Sequence, residues 1–225
     1  IGYAITNELL KQENTFVFGL SRNQNIEHNN YKHIPLDLND VSKVREFEFG
    51  DHPDAEKIVF INNAGVLGHV TQVGKLYEEK ILQSYHVNLV SPSILINTFL
   101  QHYQEQDTEK MIVNTSSGAA RHTIPSWSTY CSTKSGIEMF LRVVEDEQKD
   151  FEHPVKIYSI APGVVDTEMQ DEIREVEPEN FRELDRFVQL KKEGKLLDPN
   201  DVGKKYLEII DNPDQYPDTL MDLRH

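Results

Sequence analysis

Short apolar runs alternate along this chain with longer stretches in which hydrophobic residues recur every three or four positions. Each short run is rich in β-branched or aromatic residues and ends in polar or small ones, which is the pattern of a buried strand. Such runs cover residues 15–20, 31–36, 57–61, 111–115 and 155–161. An additional edge strand is predicted at residues 219–221.

The longer stretches predict helices. They cover residues 1–10, 77–103, 130–150, 168–174, 178–192 and 199–210. A shorter helix is expected after Asp37, with Asp40 or Ser42 as its N-cap. The Ser91-Pro92 step is expected to bend the helix at residues 77–103, because proline has no N–H group to donate.

Strands that alternate with helices in this way predict an α/β protein. Its sheet would be parallel and doubly wound, with right-handed crossovers that place helices on both faces. The length of 225 residues is compatible with one core. We therefore expect a single domain with three αβα layers, the Rossmann fold.

The composition indicates which kinds of binding partner and which cellular compartment suit the protein. The formal net charge is -15, and a surface of that sign repels nucleic acid and anionic membranes. No apolar run approaches the roughly 18–20 residues that a membrane helix needs, and no signal-peptide pattern is found. Cys131 is the only cysteine and the histidines show no ligand spacing, so neither a disulfide framework nor a metal site is expected. A cytoplasmic protein is the expectation.

Residues 111–134 carry the candidate chemistry, since they combine a strand, a turn and the start of a helix. Tyr130 and Lys134 are four residues apart and therefore share one face of that helix. A tyrosine hydroxyl has an ordinary pKa of about 10, which the ammonium of Lys134 is expected to lower. Ser117 follows the strand and is placed to hold a substrate oxygen beside the tyrosine. Cys131 adjoins Tyr130, but no base is evident for it, and a packing role is expected.

The carboxyl ends of parallel strands form the ligand-binding edge of such a sheet. Polar or glycine-rich residues stand at these ends, namely Ser21-Arg22, Asp37-Leu38, Asn62-Asn63-Ala64-Gly65, Ser116-Ser117 and Pro162-Gly163. The small side chains of the Asn-Asn-Ala-Gly segment let a flat ligand approach the backbone. Arg22 falls where a dinucleotide would place its adenosine ribose, and an arginine there suits a 2′-phosphate. The sequence therefore favours NADP over NAD.

Together these residues resemble the short-chain dehydrogenase/reductase family over nearly the whole chain. The matching motifs are Gly2 as the last glycine of a TGxxxGxG turn, Asp37-Leu38, Asn62-Asn63-Ala64-Gly65, Asn88, Ser117, Tyr130-Cys131-Ser132-Thr133-Lys134, and Pro162-Gly163 followed by Thr167. The family's first strand and first two turn glycines are missing from the sequence, and we expect them to precede Ile1.

The resemblance implies a role for each matching residue. Tyr130 would protonate the developing alkoxide and Ser117 would polarise the carbonyl oxygen, with NADPH as the hydride source. Lys134 would also bind the nicotinamide ribose, and Asn88 would hold a water that links Lys134 to solvent. The implied cofactor-binding residues are Ile1, Gly2, Ser21, Arg22, Asp37, Leu38, Asn63, Ala64, Gly65, Tyr130, Lys134, Pro162, Gly163, Val165 and Thr167.

Three stretches narrow the resemblance within the family. They read IAPGVVDTEMQDEIRE, RFVQLKKEGKLLDP and SSGAARHTIPSWSTYCSTK, and they are similar to the benzil reductases that form (S)-benzoin, relatives of sepiapterin reductase. The implied reaction is the stereoselective reduction of one ketone of a small 1,2-dicarbonyl. The implied substrate wall contains Ile124, Trp127, Met169 and Phe187, although Trp127 is equally compatible with core packing.

Two other functions remain compatible with the sequence. The chain could be a different alcohol dehydrogenase or ketone reductase, because the fold alone does not separate these activities. A non-catalytic NADP-sensing module is the second alternative, and it is disfavoured because a sensor needs no proton donor such as Tyr130. The resemblance also implies a homodimer that pairs through the helices beginning near Tyr77 and Tyr130.

Overall fold

The computed structural model describes residues 1–224, and its strands alternate with helices as the sequence predicts. The strands are β1 (Val17–Ser21), β2 (Tyr31–Pro35), β3 (Lys57–Asn62), β4 (Glu109–Thr115), β5 (Lys156–Ala161) and β6 (Leu220–Asp222). The α-helices are α1 (Gly2–Leu9), α2 (Val41–Glu46), α3 (Glu78–Tyr85), α4 (Ser91–Tyr103), α5 (Ser128–Gln148), α6 (Glu168–Arg174), α7 (Leu184–Lys192) and α8 (Pro199–Asp211). None of the helices within residues 1–224 has the length and apolar character needed to cross a membrane.

Every strand pairs in parallel with its neighbours, which confirms the predicted α/β class. β1 pairs with β2, while β3, β4, β5 and β6 follow one another in a four-stranded sheet. Within the described residues no ladder joins β1 to β3, so the parallel strands form two sheets. The edge strand predicted at residues 219–221 is confirmed as β6.

Helices cover both faces of the four-stranded sheet, which gives the predicted three layers. Alternate residues of β4 point to opposite faces, and they enter two separate hydrophobic clusters. Met111 and Val113 pack with residues of α1 and α8, including Ile5 and Tyr206. Ile112 packs with residues of α4 and α5, which include Phe99, Tyr103, Ile137 and Leu141.

Three predicted helix features can be compared directly with the structure. Asp40 caps α2, and its side chain accepts a hydrogen bond from the Lys43 N–H. The helix predicted at residues 77–103 is interrupted by a π-helix at His86–Val90, which joins α3 to α4. The bend expected at Ser91-Pro92 stays a prediction. The helix predicted at residues 178–192 starts only at Leu184, since the preceding residues form turns that bury Phe181.

Buried polar side chains join three neighbouring strands of the four-stranded sheet. Asn62, Asn114 and Ser159 stand opposite one another in the registers of β3, β4 and β5. The amide of Asn62 donates to Asn114 Oδ1 at 2.7 Å, and the amide of Asn114 donates to Ser159 Oγ at 3.0 Å. These bonds satisfy polar groups in a region that is otherwise apolar.

Candidate active site

A large cleft opens at the carboxyl ends of the strands, as expected for a parallel α/β sheet. Its volume is about 1480 Å³. The predicted cofactor residues that line it are Ile1, Ser21, Arg22, Asp37, Leu38, Asn63, Ala64, Gly65, Tyr130, Lys134, Pro162, Gly163, Val165 and Thr167. Ser117 and the predicted substrate residues Ile124, Trp127, Met169 and Phe187 line the same cleft. One space therefore brings together almost all of the predicted site.

Gly2 and Asn88 support this cleft without lining it. Gly2 lies so close to Asn63 that an added Cβ would be 2.5 Å from the side-chain nitrogen. Asn88 lies in the π-helix and bonds both backbone groups of Val66, each at 2.8 Å, and Thr133 Oγ1 at 3.2 Å. The Asn88 amide thus holds the turn after β3, and its predicted role in a water relay stays a prediction.

Tyr130 and Ser117 meet at the base of the cleft. Tyr130 lies in the first turn of α5, and Ser117 caps a short 3₁₀ helix, Gly118–Ala120, that follows β4. Burial raises the pKa of Tyr130 to about 12, and a hydrogen bond with Ser117 acts in the opposite direction. The predicted net lowering of this pKa is wrong, because desolvation of the buried phenol is the largest cause and raises the pKa. Tyr130 is therefore a neutral phenol at neutral pH, the state that a proton donor requires.

Lys134 is buried one helical turn after Tyr130, with its Nζ 5.8 Å from the centre of the tyrosine ring. Burial lowers the pKa of Lys134 to about 8, so the amine is still mostly charged at neutral pH. Within residues 1–224, its one hydrogen bond is to the Thr115 carbonyl oxygen, at 2.8 Å. An ammonium has three N–H donors, and two remain available. Gly65 has no side chain to fill the adjacent space, where a Cβ would lie 3.5 Å from Nζ.

The wall beyond Tyr130 is aromatic. Trp127 stacks on Phe181 with ring centres 5.4 Å apart, and it meets the Tyr130 ring edge-on at 5.6 Å. The ring centres of Phe187 and Trp127 are 5.4 Å apart. Trp127 both lines the cleft and packs in the core, since only 6% of it is exposed. Its predicted contact with substrate stays a prediction.

The lining of the cleft also includes an exposed cation. Arg22 follows β1, lines the cleft, and has no ion pair with any residue of the described chain. Gly163 also lines the cleft, and its φ of +85° is a conformation that favours glycine. No cluster of three or more histidine, cysteine or acidic residues suited to a metal occurs among residues 1–224.

Sequence reasoning missed two features of the site. Phe181 was hidden within a stretch that reads as a charged helix, although it is the partner on which Trp127 stacks. Glu138 is a buried carboxylate that bonds Ser116 and Arg121, on either side of the Ser117 turn. Its spacing was a usable signal, because a charged residue four positions after Lys134 falls on the same buried helical face.

Comparison with known proteins gives matches over most of the chain. The family profile described as short chain dehydrogenase matches residues 1–178. A benzil reductase, (S)-benzoin forming, from Bacillus cereus is 38% identical over 96% of this chain and 92% of its own length. Sepiapterin reductase from Xenopus tropicalis is 34% identical over 70% of this chain and 59% of its own length. The predicted resemblance to benzil reductases and sepiapterin reductase is thereby confirmed.

A solved structure agrees with these matches. A short chain dehydrogenase/reductase from Saccharomyces cerevisiae superposes with a TM-score of 0.84 and 25% identity, over 98% of this chain and 90% of that one. The likeness confirms the Rossmann-type fold. The chain therefore belongs to the short chain dehydrogenase family and is an oxidoreductase that works with a nicotinamide dinucleotide.

Proposed function

We propose that this oxidoreductase is an NADPH-dependent carbonyl reductase. It reduces one ketone of a 1,2-dicarbonyl stereoselectively, so that benzil, for example, gives (S)-benzoin. The observation that carries the proposal is the contact between the Ser117 and Tyr130 side chains at the base of a cleft with an aromatic wall. The 38% identity to the Bacillus cereus benzil reductase supports the substrate class, because it extends over 96% of the chain.

The residues of the cleft fit a bound NADPH. Two N–H donors of Lys134 have no partner among residues 1–224 and suit ribose hydroxyls, and Gly65 leaves the adjacent space open. The guanidinium of Arg22, which forms no ion pair with the described residues, suits the 2′-phosphate, because arginine can bind a phosphate through two parallel hydrogen bonds. When bound, the cofactor supplies the hydride for the carbonyl carbon.

The side chains of the site carry out the proton transfer to the carbonyl oxygen. Ser117 donates a hydrogen bond to the carbonyl oxygen and so stabilises the negative charge that develops there. Tyr130 gives its phenolic proton to the same oxygen, and its raised pKa keeps that proton in place until the oxygen becomes more basic. The buried charge of Lys134 then stabilises the phenolate that Tyr130 becomes, since charges interact strongly in a site with little water.

The aromatic wall suits an aryl ketone. Trp127 and Phe187 offer ring faces and edges to a substrate in the cleft, and Ile124 and Met169 add apolar surface. Offset and edge-on ring pairs of this kind are each worth about 0.5–1.5 kcal/mol beyond their buried area. A diaryl diketone can fill such a pocket without leaving a polar group unpaired at its outer ring.

A panel of ketones tests the substrate class. Purified protein should consume NADPH with benzil and related 1,2-dicarbonyls, and chiral chromatography should show (S)-benzoin as the main product. Simple monoketones and secondary alcohols are the comparison substrates. Absence of turnover across the dicarbonyls, with turnover of another ketone, would contradict the proposed substrate and leave a reductase of different specificity.

Tyr130→Phe tests the proton donor. The variant keeps the ring but lacks the hydroxyl, so turnover should fall about 10²- to 10⁴-fold, while NADPH binding, followed by fluorescence, persists. Tyr77→Phe is the matched control, because Tyr77 is an exposed tyrosine outside the cleft lining. Retained turnover in Tyr130→Phe would refute the assigned role.

Arg22→Asp tests the cofactor preference. Reversing this charge should lower kcat/KM for NADPH at least tenfold, while kcat/KM for NADH is unchanged or improved. Arg45→Asp is the control, since Arg45 is an exposed arginine of α2 that does not line the cleft. Equal losses with both cofactors would show that the 2′-phosphate binds elsewhere.

We also propose that the chain forms a homodimer through α3 and α5. Leu82 on α3, and Met139 and Val143 on α5, are large apolar residues that are each at least half exposed. Apolar side chains that are solvated in one copy are typical of a surface that is buried in an assembly. Light scattering should give twice the mass of the chain, and Met139→Glu should shift the protein toward the monomer.

A further inference from the structure

The turn that carries Ser117 is attached to helix α5 by a buried carboxylate. Glu138 Oε2 accepts a hydrogen bond from Ser116 Oγ at 2.7 Å. The guanidinium of Arg121 donates to both oxygens of the same carboxylate, through Nε at 2.9 Å and Nη2 at 3.2 Å. Only 6% of Glu138 is exposed, so solvent screens these bonds weakly. Ser116 precedes Ser117, and Arg121 ends the 3₁₀ helix that Ser117 caps, so both ends of the turn are held.

Glu138 lies on the helical face that also carries the proton-transfer residues. Tyr130, Lys134 and Glu138 recur at intervals of four residues along α5, and all three are buried. A second attachment of the turn is neutral, since Ser135 Oγ donates to the Ala120 carbonyl oxygen at 2.6 Å. The Glu138 bonds are the charge-assisted part of the contact, and such bonds are about twice as strong as neutral ones.

We propose that Glu138 is a positioning residue for the reaction, and this inference rests on the proposed function. It fixes the Ser117 hydroxyl relative to the Tyr130 hydroxyl, because it ties the turn that carries one to the helix that carries the other. Within its own turn, Ser117 Oγ accepts a hydrogen bond from the Ala119 N–H at 3.2 Å, and this neutral bond is weaker than the charge-assisted bonds of Glu138. A displacement of about 1 Å at a reacting group can lower a rate on the order of 10²-fold.

Glu138→Gln, in the full chain, tests the inference. Glutamine keeps the size of the side chain but removes its charge, so the paired guanidinium of Arg121 loses its partner. With benzil and NADPH, kcat should fall about tenfold to 100-fold, while the dissociation constant of NADPH stays within twofold of the unmodified chain. Glu147→Gln is the matched control, because it removes one carboxylate from an exposed position of the same helix and should leave kcat unchanged.

A double-mutant cycle separates positioning from a merely structural role. If Glu138 acts through Ser117, Glu138→Gln should lower kcat less than twofold when it is added to Ser117→Ala, because that hydroxyl is already gone. A further loss of tenfold or more in the Ser117→Ala background would overturn the inference. If Glu138→Gln does not fold, Ser116→Ala takes its place in the cycle, since it removes the 2.7 Å bond and retains the pair with Arg121.

Crystal structures of the unmodified chain and of the folded variant provide a readout without activity. The distance between Ser117 Oγ and Tyr130 Oη should increase in Glu138→Gln, and an unchanged distance would contradict the inference. If the unmodified chain reduces no dicarbonyl, the proposed function fails, and the crystallographic distance still decides whether Glu138 positions Ser117.

Discussion

Replacing Lys134 by methionine should stabilise the folded chain at neutral pH while abolishing its reductase activity. Lys134 is buried, and the described residues provide one hydrogen bond for its ammonium, to the Thr115 carbonyl oxygen. Burial of that charge is the cause of its lowered pKa. A group whose charged form is disfavoured in the folded state costs stability wherever it is charged.

The magnitude follows from the pKa difference between the two states. The pKa of Lys134 falls from 10.5 to about 8 on folding, and each unit corresponds to about 1.4 kcal/mol, so the cost at pH 7 is about 3 kcal/mol. The variant also loses the hydrogen bond to Thr115, and this loss offsets about 1–2 kcal/mol of the stability gained by removing the charge. We therefore expect Lys134→Met to raise the free energy of unfolding at pH 7 by about 1–2 kcal/mol.

The pH dependence has a definite sign. Between pH 8 and pH 10.5 the unfolded lysine binds more protons than the folded one, so the stability of the unmodified chain rises with pH there. The cost of the buried charge falls from about 3 kcal/mol at pH 7 to about 1 kcal/mol at pH 10, so the advantage of the variant should disappear by pH 10 or turn into a small disadvantage. Urea unfolding of both proteins, without cofactor, at several pH values measures this difference, and other titrating groups cancel between them.

Lys75→Met is the control, because Lys75 is an exposed lysine outside the cleft lining. A Lys134→Met chain that is less stable than the unmodified one at pH 7, with a difference that does not change up to pH 10, would refute the reasoning. That result would mean that the ammonium is satisfied in the folded chain and has an ordinary pKa.

Three further substitutions test the packing of the site. Trp127→Ala should lower the free energy of unfolding by about 3 kcal/mol, because it leaves a cavity in the aromatic wall, and it should raise KM for benzil; urea unfolding and steady-state kinetics measure the two effects. Asn88→Ala should lower the free energy of unfolding by about 2 kcal/mol, because it leaves the N–H and carbonyl of Val66 unpaired, and hydrogen exchange should show a more mobile turn after β3. Gly203→Ala should lower the melting temperature in calorimetry, because the added Cβ would lie 2.9 Å from the backbone of Ala4, and overpacking costs about 1–3 kcal/mol.

The order of strands and helices and the position of the cleft could be predicted from the sequence. Each strand is a short apolar run, and parallel strands place their carboxyl ends together whatever the details of the helices. For that reason the residues after β1, β2, β3, β4 and β5 all reach one cleft. The α5 helix was equally predictable, since its apolar stripe is regular and places Tyr130 and Lys134 one turn apart.

The features that escaped prediction depend on packing between distant segments. The pKa of Tyr130 is set by how completely the ring is buried, and spacing along a helix contains no information on burial by other elements. The late start of α7 has a similar cause, because burial of Phe181 against Trp127 outweighs the helical pattern of residues 178–183. The π-helix at His86–Val90 is not encoded in hydrophobic periodicity at all.

The buried polar chain of Asn62, Asn114 and Ser159 has a consequence for the cleft at the strand ends. Strands that are apolar on both faces carry little alternation, so hydrophobic burial alone specifies their alignment weakly. A slip of one residue between β3 and β4 would put Asn114 opposite Ile61 or Asn63 instead of Asn62. The bond between the Asn62 and Asn114 amides would then be lost, at about 1–3 kcal/mol for each buried group left unpaired. The slip would also move one strand end by about 3.3 Å relative to the next. The same polar bonds therefore fix the register of β3 and β4. In doing so they fix the position of the turn after β3 relative to the turn that carries Ser117.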